Sequence, residues 1–183
     1  MKPMKYFIGC RVRGEAGQWH FALARELEEK FGLKNTSSNV ESHVTLYYLD
    51  ELDNARRIRQ YIEEYTSSHP VGGELVLSGF GRFDNEVIFA SVHPDQTVYD
   101  WVTEFKKALA LVPGVIKESF PIWHPHLTLG EYGKAGARIE EAWSYLGTLP
   151  KPSFTMPFNH IALYEYDGAR WNVDMVFPLI RPQ

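Results

Sequence analysis

The chain has 183 residues with a formal net charge of −4, and 44% of them are hydrophobic and 23% charged. A lone cysteine, Cys10, excludes an internal disulfide framework and a multi-cysteine zinc centre. The mildly acidic balance argues against a broad basic surface for duplex nucleic acid. No apolar run is long enough to cross a bilayer, and the segment Met1–Lys5 lacks the apolar stretch of a signal peptide. The expectation is a cytoplasmic enzyme or small-ligand binder with no membrane and no obligate protein partner.

Lys5–Val12 reads as a first strand. Trp19, Leu23, Leu27 and Phe31 then recur at the spacing of an amphipathic helix, which Gly32 stops. Lys34–Ser42 is a polar loop and His43–Leu49 a second strand. A second helix carries Ala55, Ile58, Ile62 and Tyr65 on one face, with Asp53 as its candidate N-cap. Glu74–Phe83 and Glu86–Val92 form a hairpin around Asp84-Asn85. Val98, Val102, Phe105 and Leu109 mark a third helix that starts near Asp95 or Thr97. Pro113-Gly114 is a turn, His126–Glu131 a strand, and Ile139, Trp143 and Leu146 a fourth helix. Asn159–Glu165 and Trp171–Phe177 close the chain as a hairpin turning at Asp167-Gly168.

Written this way the chain repeats itself, over about residues 5–83 and 86–179, and each repeat contains a strand that begins His-apolar-Thr-Leu. The expectation is one α+β domain over residues 1–183, bilobal and pseudo-two-fold symmetric. Antiparallel-rich sheets would line a central cleft, with helices on the outside. A doubly wound sheet of alternating strands and helices is the competing reading.

The two repeated segments are His43-Val44-Thr45-Leu46 and His126-Leu127-Thr128-Leu129, 83 residues apart. Strand side chains alternate, so each segment projects a His/Thr pair from one face and anchors an apolar pair on the other. Duplication brings two imidazoles and two hydroxyls to one cleft. An imidazole titrates near pH 6.5, so one can act as base while the other, protonated, acts as acid. Cleavage of a phosphodiester needs that division of labour, and threonine hydroxyls can donate to its non-bridging oxygens. The catalytic candidates are therefore His43 and His126, with Thr45 and Thr128 as phosphate-binding residues. No metal and no cofactor is required, and a cyclic diester fits especially well.

These paired motifs and the duplicated layout resemble the two-histidine (2H) phosphoesterase superfamily, in particular its 2′-5′ RNA ligase-like branch. His124-Pro125-His126-Leu127-Thr128-Leu129-Gly130 looks like the second motif of that family. Gly79-Phe80-Gly81-Arg82-Phe83 with Val87-Ile88-Phe89 resembles its central hairpin, and Leu163-Tyr164-Glu165 with Val176-Phe177-Pro178-Leu179 resembles its ending. The resemblance implies hydrolysis of RNA 2′,3′-cyclic phosphate ends to 2′-phosphates, with weak, reversible 2′-5′ ligation. It implies RNA 3′ ends, short oligonucleotides or nucleotide cyclic phosphates as partners. It also implies His43 as acid and His126 as base, although a two-fold-symmetric site permits either role.

One departure from the family bears on the substrate. The motifs are followed by Tyr47, Tyr48, Asp50 and Glu51 and by Glu131 and Tyr132, and the nearest cations in sequence are Arg82 and Lys134. Affinity for a long RNA rests on phosphate contacts, so a mononucleotide, a short oligonucleotide or another small cyclic phosphate is the expected substrate. Tyr47 shares the parity of His43 and Thr45, and Tyr132 that of His126 and Thr128, so both are candidate substrate contacts. His124 could join His126 as a metal ligand but is better read as a strand-entry residue. His20 is expected in a surface or capping role, and Cys10 and Trp123 as packing. A non-catalytic binder of a phosphorylated ligand remains the alternative from another class.

Overall fold

The apolar periodicities become helices and strands in a computed structural model, which describes residues 4–35, 38–52, 55–115, 122–133 and 136–180. In chain order these are β1 (Met4–Arg11), α1 (Gly14–Phe31), β2 (His43–Leu52), α2 (Ala55–Ser68), β3 (Glu74–Phe83) and β4 (Val87–Pro94). Then follow α3 (Gln96–Leu109), β5 (His126–Glu131), α4 (Ile139–Leu146), β6 (Ser153–Pro157), β7 (His160–Tyr166) and β8 (Trp171–Pro178). Gly32 caps α1 in the left-handed conformation (φ 70°), where a side chain would be strained. The Asp95 carboxylate caps α3 by accepting from the Val98 N–H at 2.9 Å. The Asp53 cap expected for α2 lies outside the described residues. No helix among the described residues is long and apolar enough to cross a membrane.

The strands form two four-stranded antiparallel sheets, with orders β2-β1-β7-β8 and β5-β4-β3-β6. The fold is α+β, as the repeat implied. Sheet membership crosses the two halves of the chain: β3 joins the sheet of β4 and β5, and β7 and β8 return to β1 and β2. The leading helices cross as well, α1 packing on β5 and α3 on β2. β6, flanked by Pro152 and Pro157, is a strand that apolar alternation did not mark; it takes the outer position beside β3, where proline is tolerated.

One apolar core runs through both sheets and the helices, and it includes Val44, Leu46, Leu127 and Leu129, each 0–1% exposed. Burying each such side chain is worth roughly 1.5–3 kcal/mol. Slipping either strand by one residue would expose these anchors, so their burial dictates the face on which the histidines and threonines emerge. A smaller cluster of Phe7, Val40, Ala162 and Tyr164 packs apart from that core, with Phe7 and Tyr164 against His43.

Candidate active site

The two motif strands match residue by residue. Arg11, Cys10 and Gly9 pair with His43, Val44 and Thr45; Ser91, Ala90 and Phe89 pair with His126, Leu127 and Thr128. After each threonine the ladder skips a residue, with Ile8 opposite Tyr47 and Ile88 opposite Gly130. Leu46 and Leu129 are thus the extra residues of two equivalent β-bulges, a device that bends a strand and re-aims its side chains.

Each threonine carbonyl at these bulges accepts a side-chain N–H from the other half of the chain. The Trp123 indole donates to the Thr45 carbonyl at 2.9 Å, and His20 Nε2–H donates to the Thr128 carbonyl at 2.6 Å. With its proton on Nε2, His20 accepts at Nδ1 from the Ser42 hydroxyl at 2.7 Å. His20 therefore ties the residue preceding His43 to the second motif. It is 3% exposed, and burial lowers its pKa, which keeps the ring neutral. The surface role expected for His20 is replaced by a bridge between the half-sites. Its position on the Ala16, His20, Leu23, Ala24, Leu27 row of α1 was the available signal. Trp123 is buried, as expected, but it also holds the first motif.

The histidines are fixed alike. His43 Nδ1–H donates to the Glu41 carbonyl at 2.8 Å, and His126 Nδ1–H to the His124 carbonyl at 2.7 Å. A carbonyl only accepts, so each neutral ring carries its proton on Nδ1 and a lone pair on Nε2. His43 lies against Phe7 and Tyr164, with ring centroids 4.7 and 5.5 Å away. His126 lies against Phe83 and Phe89 at 5.0 and 5.1 Å. Gly81 permits the second arrangement, because a Cβ there would sit 2.4 Å from the Phe89 ring. The Glu41 carboxylate is gripped by Arg11 through both oxygens, at 2.5 and 3.0 Å, and by the Tyr164 hydroxyl at 3.0 Å. That network immobilises the residue whose carbonyl orients His43.

The strands that carry His43 and His126, β2 and β5, pack against each other. Burial pushes the His43 pKa down to about 4, and the proximity of His20 and His126 adds to the lowering. Burial also lowers His126, with the His124 ring adding to the effect. Both catalytic candidates are neutral in the free protein at pH 7. Thr45 and Thr128 are half-buried on the histidine-bearing side of their strands, and neither hydroxyl has a protein partner among the described residues. Among the described residues no group of three His, Cys, Asp or Glu could hold a metal ion.

The tyrosines do not follow strand parity. The bulge at Leu46 turns Tyr47 into the core, where it is 1% exposed, so it cannot touch substrate in this arrangement. Tyr48 emerges instead, 60% exposed with its ring 5.9 Å from Phe7. Tyr132 lies one residue past the end of β5 and is 53% exposed, its N–H bonded to the Glu86 carbonyl at 2.6 Å. Arg82 is engaged by Glu140 at 2.8 Å, and Lys134 lies outside the described residues.

Two neutral imidazoles and two hydroxyls, with no partner for either Nε2 atom or either hydroxyl among the described residues, form an arrangement able to move protons on both sides of a phosphoryl group. Comparison with known proteins places the family and the fold. The family model of the 2′-5′ RNA ligase superfamily matches residues 15–170. E. coli LigT complexed with 3′-AMP is similar in structure, with a TM-score of 0.72 and 17% identity over 98% of this chain and 100% of that one. Apo LigT aligns with a TM-score of 0.68 and 16% identity, covering 99% and 100%. TT0787 of Thermus thermophilus aligns at 0.66 and 18%, covering 98% and 100%. No curated protein sequence matches the chain. The family match extends over most of the chain, including both histidine strands, and the fold is that of LigT: the protein belongs to the 2′-5′ RNA ligase superfamily of two-histidine phosphoesterases.

Proposed function

We propose that the protein is a metal-independent phosphodiesterase that opens 2′,3′-cyclic phosphates at RNA or nucleotide ends to 2′-phosphates. The observation that carries this reading is the matched pair of imidazoles, each held at Nδ1 by the carbonyl two residues upstream, on two strands in identical register. E. coli LigT, whose fold the chain shares, is found with 3′-AMP, NADP+ and ATP, which supports a nucleotide-sized ligand.

In the proposed step His126 Nε2 takes a proton from water as its oxygen attacks phosphorus. The P–O3′ bond breaks, and protonated His43 returns a proton to O3′ from Nε2. Thr45 and Thr128 donate to the non-bridging oxygens as negative charge builds on them. The anionic substrate stabilises the imidazolium that the free protein disfavours. With a 5′-hydroxyl in place of water the same step forms a 2′-5′ linkage, so weak ligation belongs to the proposal.

The test is a turnover screen with 2′,3′-cyclic mononucleotides, cyclic-ended oligonucleotides and ADP-ribose cyclic phosphate, with products read by phosphorus NMR. A 2′-phosphate product is expected. A 3′-phosphate would reverse the substrate orientation, and full activity in His43→Ala or His126→Ala would sink the mechanism. Binding of a cyclic nucleotide without turnover over hours would make the protein a binder.

A further inference from the structure

Beside the histidine cleft lies an open cavity of about 630 Å³, a size within the range of small-ligand sites. It is walled by the β1–α1 connection, the loop before β2 and the start of β8. Arg13 and Arg170 line it, and among the described residues neither forms an ion pair. Phe21, 50% exposed, and the half-buried Trp171 supply aromatic faces, while Gln18 and Asn39 supply amides. The Glu41 carboxylate also borders the cavity, but Arg11 and the Tyr164 hydroxyl hold it.

The Arg13 guanidinium and that of Arg170, whose Nε donates to Asn172 Oδ1 at 3.2 Å, stand beside two accessible aromatic faces and suit a ligand that is both anionic and flat. Arginine binds phosphate through its planar fork, and rings stack a base whatever its identity. The cavity also adjoins the reacting centre. Its wall includes Ser38 to Ser42, and the next residue is His43. The Trp171 ring lies 4.8 Å from Phe7, and Phe7 lies 4.7 Å from His43.

We propose that this cavity is a second nucleotide subsite, which receives the base and phosphate of the nucleotide next to the cyclic end. The inference rests on the phosphodiesterase reading and narrows it: the preferred substrate is an oligonucleotide. The sequence near the motifs is poor in cations because this site draws its cations from Arg13 and from Arg170, at opposite ends of the chain.

The experiment compares kcat/KM for adenosine 2′,3′-cyclic phosphate with that for ApA bearing the same cyclic end. The dinucleotide is expected to be favoured by about ten- to a hundred-fold, the range that stacking one base supplies. Arg170→Ala and Trp171→Ala should bring that ratio to within a few-fold of one. The exposed pair Arg13→Ala with Arg170→Ala keeps the test open if Trp171→Ala fails to fold. That pair should also flatten the salt dependence of dinucleotide kcat/KM by about one logarithmic unit per lost phosphate contact. Equal values for the two substrates, or a ratio that survives the double variant, overturns the subsite. If neither substrate turns over, the phosphodiesterase reading falls while the subsite is judged by calorimetry with pApA. Binding lost in the double variant supports it, and binding retained overturns it.

Discussion

The free-protein charge state of the histidine pair sets the pH at which it can work. Burial takes His43 from the usual imidazole value of 6.5 to about 4. At 1.36 kcal/mol per pKa unit, that is about 3 kcal/mol set against its imidazolium. His126 is lowered too. Proton transfer on both sides of phosphorus requires one ring charged and the other neutral. That state is populated between the two macroscopic pKa values of the pair, and both lie below 6.5. Because kcat/KM reports the free protein, its optimum is expected between about pH 4 and 6.5, with a tenfold loss per pH unit on the alkaline side. An anionic phosphate between the rings stabilises the charged form, so the kcat profile should lie at higher pH than the kcat/KM profile. Initial rates on adenosine 2′,3′-cyclic phosphate from about pH 3.5 to 8.5, at constant ionic strength, resolve both curves. A kcat/KM that is flat or rising through pH 7, or two coincident profiles, refutes the reasoning.

The same shift governs stability. His43 binds its proton more weakly folded than unfolded, so its contribution is complete above about pH 6.5 and is lost as pH falls through about 4, by up to about 3 kcal/mol. Urea midpoints at pH 7 and 4.5 measure this, and His43→Gln should remove close to one proton from the slope; an unaltered slope contradicts the assignment. His43→Ala and His126→Ala should each lower kcat by about 10² to 10⁴ with an unchanged circular dichroism spectrum. His20→Ala deprives the Ser42 hydroxyl and the Thr128 carbonyl of a partner. It should cost about 1–3 kcal/mol in urea unfolding and reduce kcat as well, and a variant matching wild type in both would deny the bridge its role. Dialysis against EDTA should leave kcat unchanged, and a loss restored by magnesium or zinc would remove metal independence from the proposal.

The paired His/Thr strands were legible because a short polar–apolar alternation is written twice in the sequence. The helices were legible through their apolar rows. Tyr47 was misread because alternation assumes an unbroken ladder, and nothing in His-Val-Thr-Leu-Tyr marks Leu46 as a bulge residue. His20 and Trp123 act on residues 108 and 78 positions away. A contact at such separation is decided by how α1 and the β5 entry pack, which no local window contains. The cavity cations escaped for a similar reason: Arg13 and Arg170 line one cavity only because β8 returns to the sheet of β1 and β2. β6 was missed since prolines at both ends of a short segment resemble a loop until the neighbouring strand is known.

The way the sheets draw on both halves of the chain also orders their assembly in time. The sheet bearing His126 holds β3 to β6, so every strand it needs has been synthesised by Pro157. The sheet bearing His43 begins with β1 and β2 and is finished only when β7 and β8 emerge. During synthesis the β1–β2 pair, joined through α1, must wait with Phe7 and its unpaired edge for more than a hundred residues to be added. That exposed edge is an aggregation hazard, and the late strands that end it carry Tyr164 and Trp171 to the side of the first histidine. The His43 half-site is therefore completed only after every strand of the His126 sheet has been made.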